Sequence, residues 1–113
     1  MSIKKETERK IQDLQVFEQN LQQILMQKQS IQLELSESEN ALNELKSSDG
    51  EAYRIIGGIM MKSDRKKLIA ELEEKKKISE LRINSIEKQE KLLDDRASSL
   101  RNEVKSEIEH SEK

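Results

Sequence analysis

The sequence predicts a mainly α-helical fold: a long antiparallel two-helix coiled coil with a short central β-hairpin that joins an oligomeric β-barrel. Two apolar seams at heptad spacing, one on each side of a glycine-containing break, are the first observation. The second is a pair of short apolar runs around Gly57-Gly58 inside that break. The third is composition: of 113 residues, 39% are charged and 33% hydrophobic, only Phe17 and Tyr53 are aromatic, and none is proline. That is too little apolar mass for a thick core, while helical periodicity without proline argues against an unstructured polar chain.

A heptad frame with Leu14 at position a passes through Leu14, Phe17, Leu21, Ile24, Lys28, Ile31, Leu35, Ser38, Leu42 and Leu45, and eight of these ten are apolar. Such a repeat is a coiled-coil seam. Continued backward through Lys10 and Thr7, the frame starts a first helix at Ile3 and carries it to Ser47, about 65 Å at 1.5 Å per residue. Ser47, Ser48 and Asp49 compete for backbone hydrogen bonds, and Gly50 can take positive φ, so the helix ends there.

Residues 52–62, Ala-Tyr-Arg-Ile-Ile-Gly-Gly-Ile-Met-Met-Lys, read as a β-hairpin. The two glycines supply the positive φ angles of a two-residue type I′ turn, whose twist matches that of paired strands. In that register Ile56 faces Ile59 on one face of the ribbon and Ile55 faces Met60 on the other. Both faces are then apolar and both edges unpaired, and an isolated two-stranded hairpin is marginal in water. The economical solution is association with further hairpins, of the same or related chains, in a larger sheet or barrel. Tyr53, Ile55, Ile56, Gly57, Gly58, Ile59, Met60 and Met61 are the candidate oligomerisation residues. The alternative is a plain loop resting on the chain's own helices.

Ser63 and Asp64 can each cap a second helix, expected over residues 63–112. With Ile69 at position a its frame visits Ile69, Leu72, Lys76, Ser79, Ile83, Ile86, Glu90, Leu93, Ala97, Leu100 and Val104, eight of eleven apolar. The break is short and holds Gly50, Gly57 and Gly58, so this helix folds back along the first and residues 1–113 form a single domain. Setting Leu45 level with Ile69 places Ile31 near Ile83, Phe17 near Ala97 and Leu14 near Leu100. Lys28 falls about a turn from Glu90, and Ser38 faces Lys76; these polar layers either fix register or snorkel to water.

The segment AYRIIGGIMMKSDRKKLIAEL, from Ala52 to Leu72, resembles the prefoldin family, specifically its β-class subunits. The aromatic-basic pair Tyr53-Arg54, the aliphatic-glycine step Ile56-Gly57, the apolar strand Ile59 to Met61, then Lys62 and the cap Ser63 carry the likeness. Two flanking seams of nearly equal length, and one hairpin where α-class subunits have two, agree with it. Met60 and Met61 depart from the Leu and Val common in the family, an exchange that strand packing tolerates. The resemblance implies an ATP-independent holding chaperone, in a hetero-hexamer of two α-class and four β-class subunits whose hairpins form β-barrels. It also implies that the coiled-coil tips hold unfolded client proteins and deliver them to a group II chaperonin. The chain's brevity favours the archaeal form over the eukaryotic one.

Apolar residues off the seam are candidates for contact with other chains. Ile11, Val16 and Ile108 lie near the tip, and with Ile3 and Val104 they form the expected client-binding set, although scattered exposed aliphatics are ordinary on protein surfaces. Leu33, Leu68, Ile78 and Leu81 lie near the hairpin and are expected to pack against the sheet. The basic runs Arg65-Lys66-Lys67 and Lys75-Lys76-Lys77 read chiefly as solvated helix faces, the second neutralised by Glu71, Glu73 and Glu74. With 21 basic and 23 acidic residues interleaved, no broad basic field suits nucleic acid.

No apolar run reaches the roughly 20 residues that span a bilayer, the N-terminus has no signal-peptide stretch, and cysteine is absent. A cytoplasmic protein without a membrane partner is expected. His110 is the single histidine and has no second ligand of defined geometry. Neither a Gly-rich phosphate loop nor a Ser-His-Asp constellation occurs, so no enzyme activity, metal or cofactor is expected. A structural coiled-coil tether is the alternative function. The Gly57-Gly58 hairpin weighs against it, since a plain tether has no use for a hairpin that must oligomerise.

Overall fold

A computed structural model describes residues 4–111 of the chain. Its elements are, in order, α1 (Lys5–Ser47), β1 (Ala52–Ile56), β2 (Ile59–Ser63) and α2 (Arg65–Ser111). The expected helix start at Ile3 and helix end at residue 112 lie outside the described residues. The chain divides into two compact units, one made of Met1–Lys28 with Ser85–Lys113 and the other of Gln29–Asn84.

In the first unit the two helices run antiparallel, because rising numbers on α1 meet falling numbers on α2. Lys10 lies 3.0 Å from Glu107, Glu18 3.4 Å from Arg101, and Lys28 3.2 Å from Glu90. The seam of this unit is Thr7, Leu14, Phe17, Leu21 and Ile24 from α1 and Ile86, Leu93, Ala97, Leu100 and Val104 from α2, every one buried or half-buried. Thr7 and Ala97, both small, are the most deeply covered, as befits close helix approach. The polar layer at Lys28 is a paired one: its ammonium donates to Glu90 Oε1 at 3.2 Å and lies 3.9 Å from Glu87, so it does not simply snorkel to water.

The second unit repeats the antiparallel arrangement, with Glu34 at 3.7 Å from Arg82 and Lys46 at 3.2 Å from Glu73. Ile31, Ser38, Leu42, Ser79 and Ile83 are buried there, and Leu35, Leu45, Ile69, Leu72 and Lys76 half-buried. Among the described residues no hydrogen bond joins Ser38 to Lys76. Ser38 is instead a small buried side chain of the seam, 3% exposed, and is not locked in a polar pair with that lysine.

The connection is held by short-range polar contacts. Ser47 Oγ donates to the Glu44 carbonyl at 3.3 Å, and the Gly50 N–H donates to Ser48 Oγ at 3.2 Å. Gly50 does not take positive φ, so α1 ends through these serines and not through a left-handed glycine. The Gly50 carbonyl accepts from the Arg65 guanidinium at 3.1 Å. At the start of α2, Asp64 Oδ1 accepts from the Lys66 N–H at 3.0 Å, and the Asp64 carbonyl accepts from the Leu68 N–H at 2.9 Å. Asp64 is therefore the N-cap. The expected helix start at residue 63 shifts to Arg65, because Ser63 stays paired with Ala52 as the last residue of β2.

β1 and β2 form a two-stranded antiparallel sheet with Ile56 opposite Ile59 and Ile55 opposite Met60. Gly57 and Gly58 take φ of 56° and 81°, the two positive values that a type I′ turn requires.

Candidate functional site

The hairpin is the larger concentration of uncovered apolar surface. Side chains alternate along a strand, so Arg54, Ile56, Ile59 and Met61 share one face while Tyr53, Ile55, Met60 and Lys62 share the other. All four isoleucine and methionine positions nearest the turn are exposed, Ile55 by 70% and Met60 by 67%, and Tyr53 and Met61 are about half exposed. Neither face rests on the chain's own helices, which removes the plain-loop alternative. Only Ala52, at the base, is buried.

The base is tied down by charge. Arg54 meets Glu71 of α2 at 3.0 Å, and Lys62 meets Glu51 at 3.1 Å. The Tyr53 hydroxyl donates to Glu51 Oε2 at 2.6 Å. That hydrogen bond, helped by Lys62, holds the Glu51 carboxyl below its ordinary range, and the same contact pushes the Tyr53 hydroxyl above its own. The result is a ribbon with an anchored polar base and an apolar end, open on both faces and along both edges. Full burial of each such isoleucine is worth about 1.5–3 kcal/mol, so the end of the hairpin carries a substantial driving force for association.

The client-binding set expected from sequence is not one patch. Ile3 lies outside the described residues. Ile11 and Ile108 are half-buried and both occupy heptad position e, the flank that carries the Glu18–Arg101 ion pair. Val16 is exposed at position c, on the opposite flank. Val104 is 8% exposed at position a of the seam, where its side chain packs between the helices. At this end of the coiled coil Lys10 bridges Glu107 and Glu103, and the hydrogen bond it donates to the Glu107 carboxylate raises its pKa above the ordinary value.

Three exposed apolar side chains of the same unit were not singled out by the sequence reading: Leu25, Met26 and Leu92. The heptad frame that excludes Val16 from the seam excludes them too, at positions e, f and c, so the signal was available. Leu25 lines a groove with Leu21, Lys91 and Asp94. Leu92 lines another with Phe17 and Leu100. In the other unit Leu33, Ile78 and Leu81 are exposed and do not pack against the sheet of their own chain; positions f, c and f turn them from the seam. Leu68 is half-buried.

Lys66, Lys67, Lys75, Lys77 and His110 are exposed, while Arg65 and Lys76 are half-buried. Among the described residues no three His, Cys, Asp or Glu side chains converge as a metal site would need, and no helix is long and apolar enough to cross a membrane.

Comparison with known proteins bears on the whole chain. The family described as prefoldin subunit matches residues 8–111. The prefoldin subunit beta of Thermococcus kodakarensis is 38% identical over 95 residues, covering 82% of this chain and 81% of that protein. The prefoldin subunit beta of Methanospirillum hungatei is 37% identical over 110 residues, covering 96% and 92%. The crystal structure of the prefoldin beta subunit from Thermococcus strain KS-1 is similar with a TM-score of 0.84 at 34% identity, over 93% of this chain and 94% of that one.

Proposed function

The chain belongs to the prefoldin family as a β-class subunit, and from that premise we propose that it is an ATP-independent holdase whose hairpin assembles with those of sister subunits. As a prefoldin subunit it is a chaperone component that works in a complex with other prefoldin subunits. The hairpin carries this reading: six large apolar side chains, Tyr53 to Met61, surround a Gly-Gly turn and are exposed on both faces of a ribbon with two free edges. Such a ribbon finds its missing partners in further strands.

In the proposed assembly two α-class and four β-class subunits join their hairpins into β-barrels, with Tyr53, Ile55, Ile56, Ile59, Met60 and Met61 in the contacts and Gly57-Gly58 setting the turn. The far ends of α1 and α2 hold unfolded client proteins through aliphatic contacts, with Ile11 and Ile108 on one flank and Val16 on the other. The client then passes to a group II chaperonin, in the cytoplasm, with no nucleotide, metal or catalytic step.

Light scattering of a chemically unfolded client during dilution tests the holding role. The chain assembled with an α-class subunit is expected to suppress scattering equally with and without ATP. Removing residues up to Val16 together with those after Leu100 is expected to abolish suppression while the subunit stoichiometry stays unchanged. Undiminished protection by the truncated assembly would refute client binding at the helix ends. Failure of the intact assembly to protect would refute the holdase.

A further inference from the structure

We infer that the groove between Asp13–Phe17 of α1 and Leu92–Glu103 of α2 is a selective seat for non-native segments whose aliphatic residues are bordered by lysine or arginine. This rests on the proposed holding function and names the class of client segment that one face of the coiled coil prefers.

The floor of the groove is apolar, with Phe17 and Leu100 half-buried at the seam and Leu92 standing 54% exposed beside them. Its rim is acidic: Asp13, Asp95 and Glu103 face one cation, Arg96. Among the described residues, Asp13 and Asp95 have no hydrogen bond or ion pair, and Glu103 only shares Lys10 with Glu107, at 3.5 Å. Two carboxylates therefore stand unpaired next to an exposed leucine.

The opposite flank is arranged differently. There Glu18 is closed onto Arg101, and the groove at Leu25 sets Lys91 against Asp94 and Glu90, the last already held by Lys28. The acidic excess is thus larger in the groove of Leu92, with three carboxylates to one arginine, than in that of Leu25, with two carboxylates to one lysine.

From Leu92 to Glu103 the groove runs about 16 Å along α2, room for about five residues of extended chain. A segment of that length can lay an aliphatic side chain over Leu92 and Phe17 and reach Asp13 and Asp95 with flanking cations. Apolar burial supplies the attraction, and charge decides between segments of equal hydrophobicity, because a like-charged segment brings carboxylates against carboxylates. The preference must weaken with salt, since the rim is exposed.

The test uses the full chain in its assembly and three labelled, unstructured peptides that share one Leu/Val core flanked by lysine, glutamine or glutamate, followed by fluorescence anisotropy. At low salt the lysine-flanked peptide is expected to bind about tenfold more tightly than the glutamate-flanked one, and at 1 M salt the difference should shrink to about twofold or less. The double variant Asp13→Asn/Asp95→Asn should remove the preference while keeping helix content, assembly mass and affinity for the glutamine-flanked peptide. Leu92→Ser should weaken all three peptides alike. Equal binding of the three by the unaltered protein, a preference retained in the double variant, or no binding of any peptide overturns the inference. If the unaltered assembly fails to suppress client scattering, the holding function itself has failed. If it suppresses scattering without discriminating the peptides, only the selectivity has.

Discussion

Ile83 and Ile55 are the same side chain in two regions and meet opposite fates. Ile83, in the seam of α2, is 9% exposed, whereas Ile55, in β1, is 70% exposed. A helix with one apolar stripe completes its burial against one partner helix, and this chain supplies that partner itself. A ribbon with two apolar faces and two free edges cannot do so with two strands. The helical seams therefore carry the stability of the single subunit, and on the reading proposed above the hairpin carries its association.

Paired truncations sharpen that division. Leu42→Ala in the seam, where the side chain is 4% exposed, is expected to cost about 2–5 kcal/mol of unfolding free energy. Met60→Ala in the hairpin is expected to change the stability of the dissociated subunit by about 0.5 kcal/mol or less, since an exposed side chain loses little on removal. Urea denaturation of the isolated subunit reads both. Equal costs would erase the distinction between the regions.

A smaller effect is expected at the turn. Nothing crowds a side chain at Gly57 or Gly58, so only the positive φ opposes substitution. Gly58→Val is expected to destabilise the hairpin by about 1–2 kcal/mol, the cost of a left-handed L-residue. Gly57→Asn should be nearly neutral, because asparagine suits the first position of a type I′ turn. Amide hydrogen exchange in β1 and β2 should separate the two variants while the amides of α2 stay unchanged.

The smallest expected effects come from titration. Lys10 has its pKa raised above 10.5 by Glu107, so its contribution to the first unit is complete below 10.5 and is lost as pH climbs through the raised value. Glu51 has its pKa lowered below 4.5, chiefly by the Tyr53 hydroxyl and then by Lys62, so its contribution to the hairpin base is present above 4.5 and is lost as pH falls through the lowered value. Tyr53, raised above 10.0, adds a loss at the alkaline end. NMR titration should show the hairpin base loosening in acid, as the Glu51 carboxylate takes up its proton, and the Lys10 ammonium losing its contacts in alkali, as it gives up its own. A hairpin base that acid leaves unchanged would contradict this assignment.

Most of the fold was legible because both periodicities are clean. The frame through Leu14 and Ile69 lands only on buried or half-buried residues within the described helices, and the Gly57-Gly58 pair set the strand register residue by residue. Helix ends were harder to read. Gly50 looked like a left-handed terminator, yet serine side chains end α1, and Ser63 looked like a cap although the strand ladder keeps it. Client-contact residues were the least legible. Periodicity tells which side chains leave the seam, but the grouping into flanks depends on how the two helices face each other. That is why Val16 separates from Ile11 and Ile108, and why the frame turns Leu92 from the seam without showing that it shares a groove with Asp13. Val104 belonged to the seam by the same frame that named it.

The division of labour between seam and hairpin is tested most directly by native mass spectrometry of Ile56→Asp mixed with an α-class subunit, with circular dichroism of the same sample. A carboxylate on that face must be desolvated if the hairpin is to join other strands, whereas the seams contain no part of the change. The expected result is loss of the assembly with helix content retained. An assembly of unaltered mass would contradict the assignment of the hairpin as the association element, and loss of helix along with mass would contradict the independence of the seams.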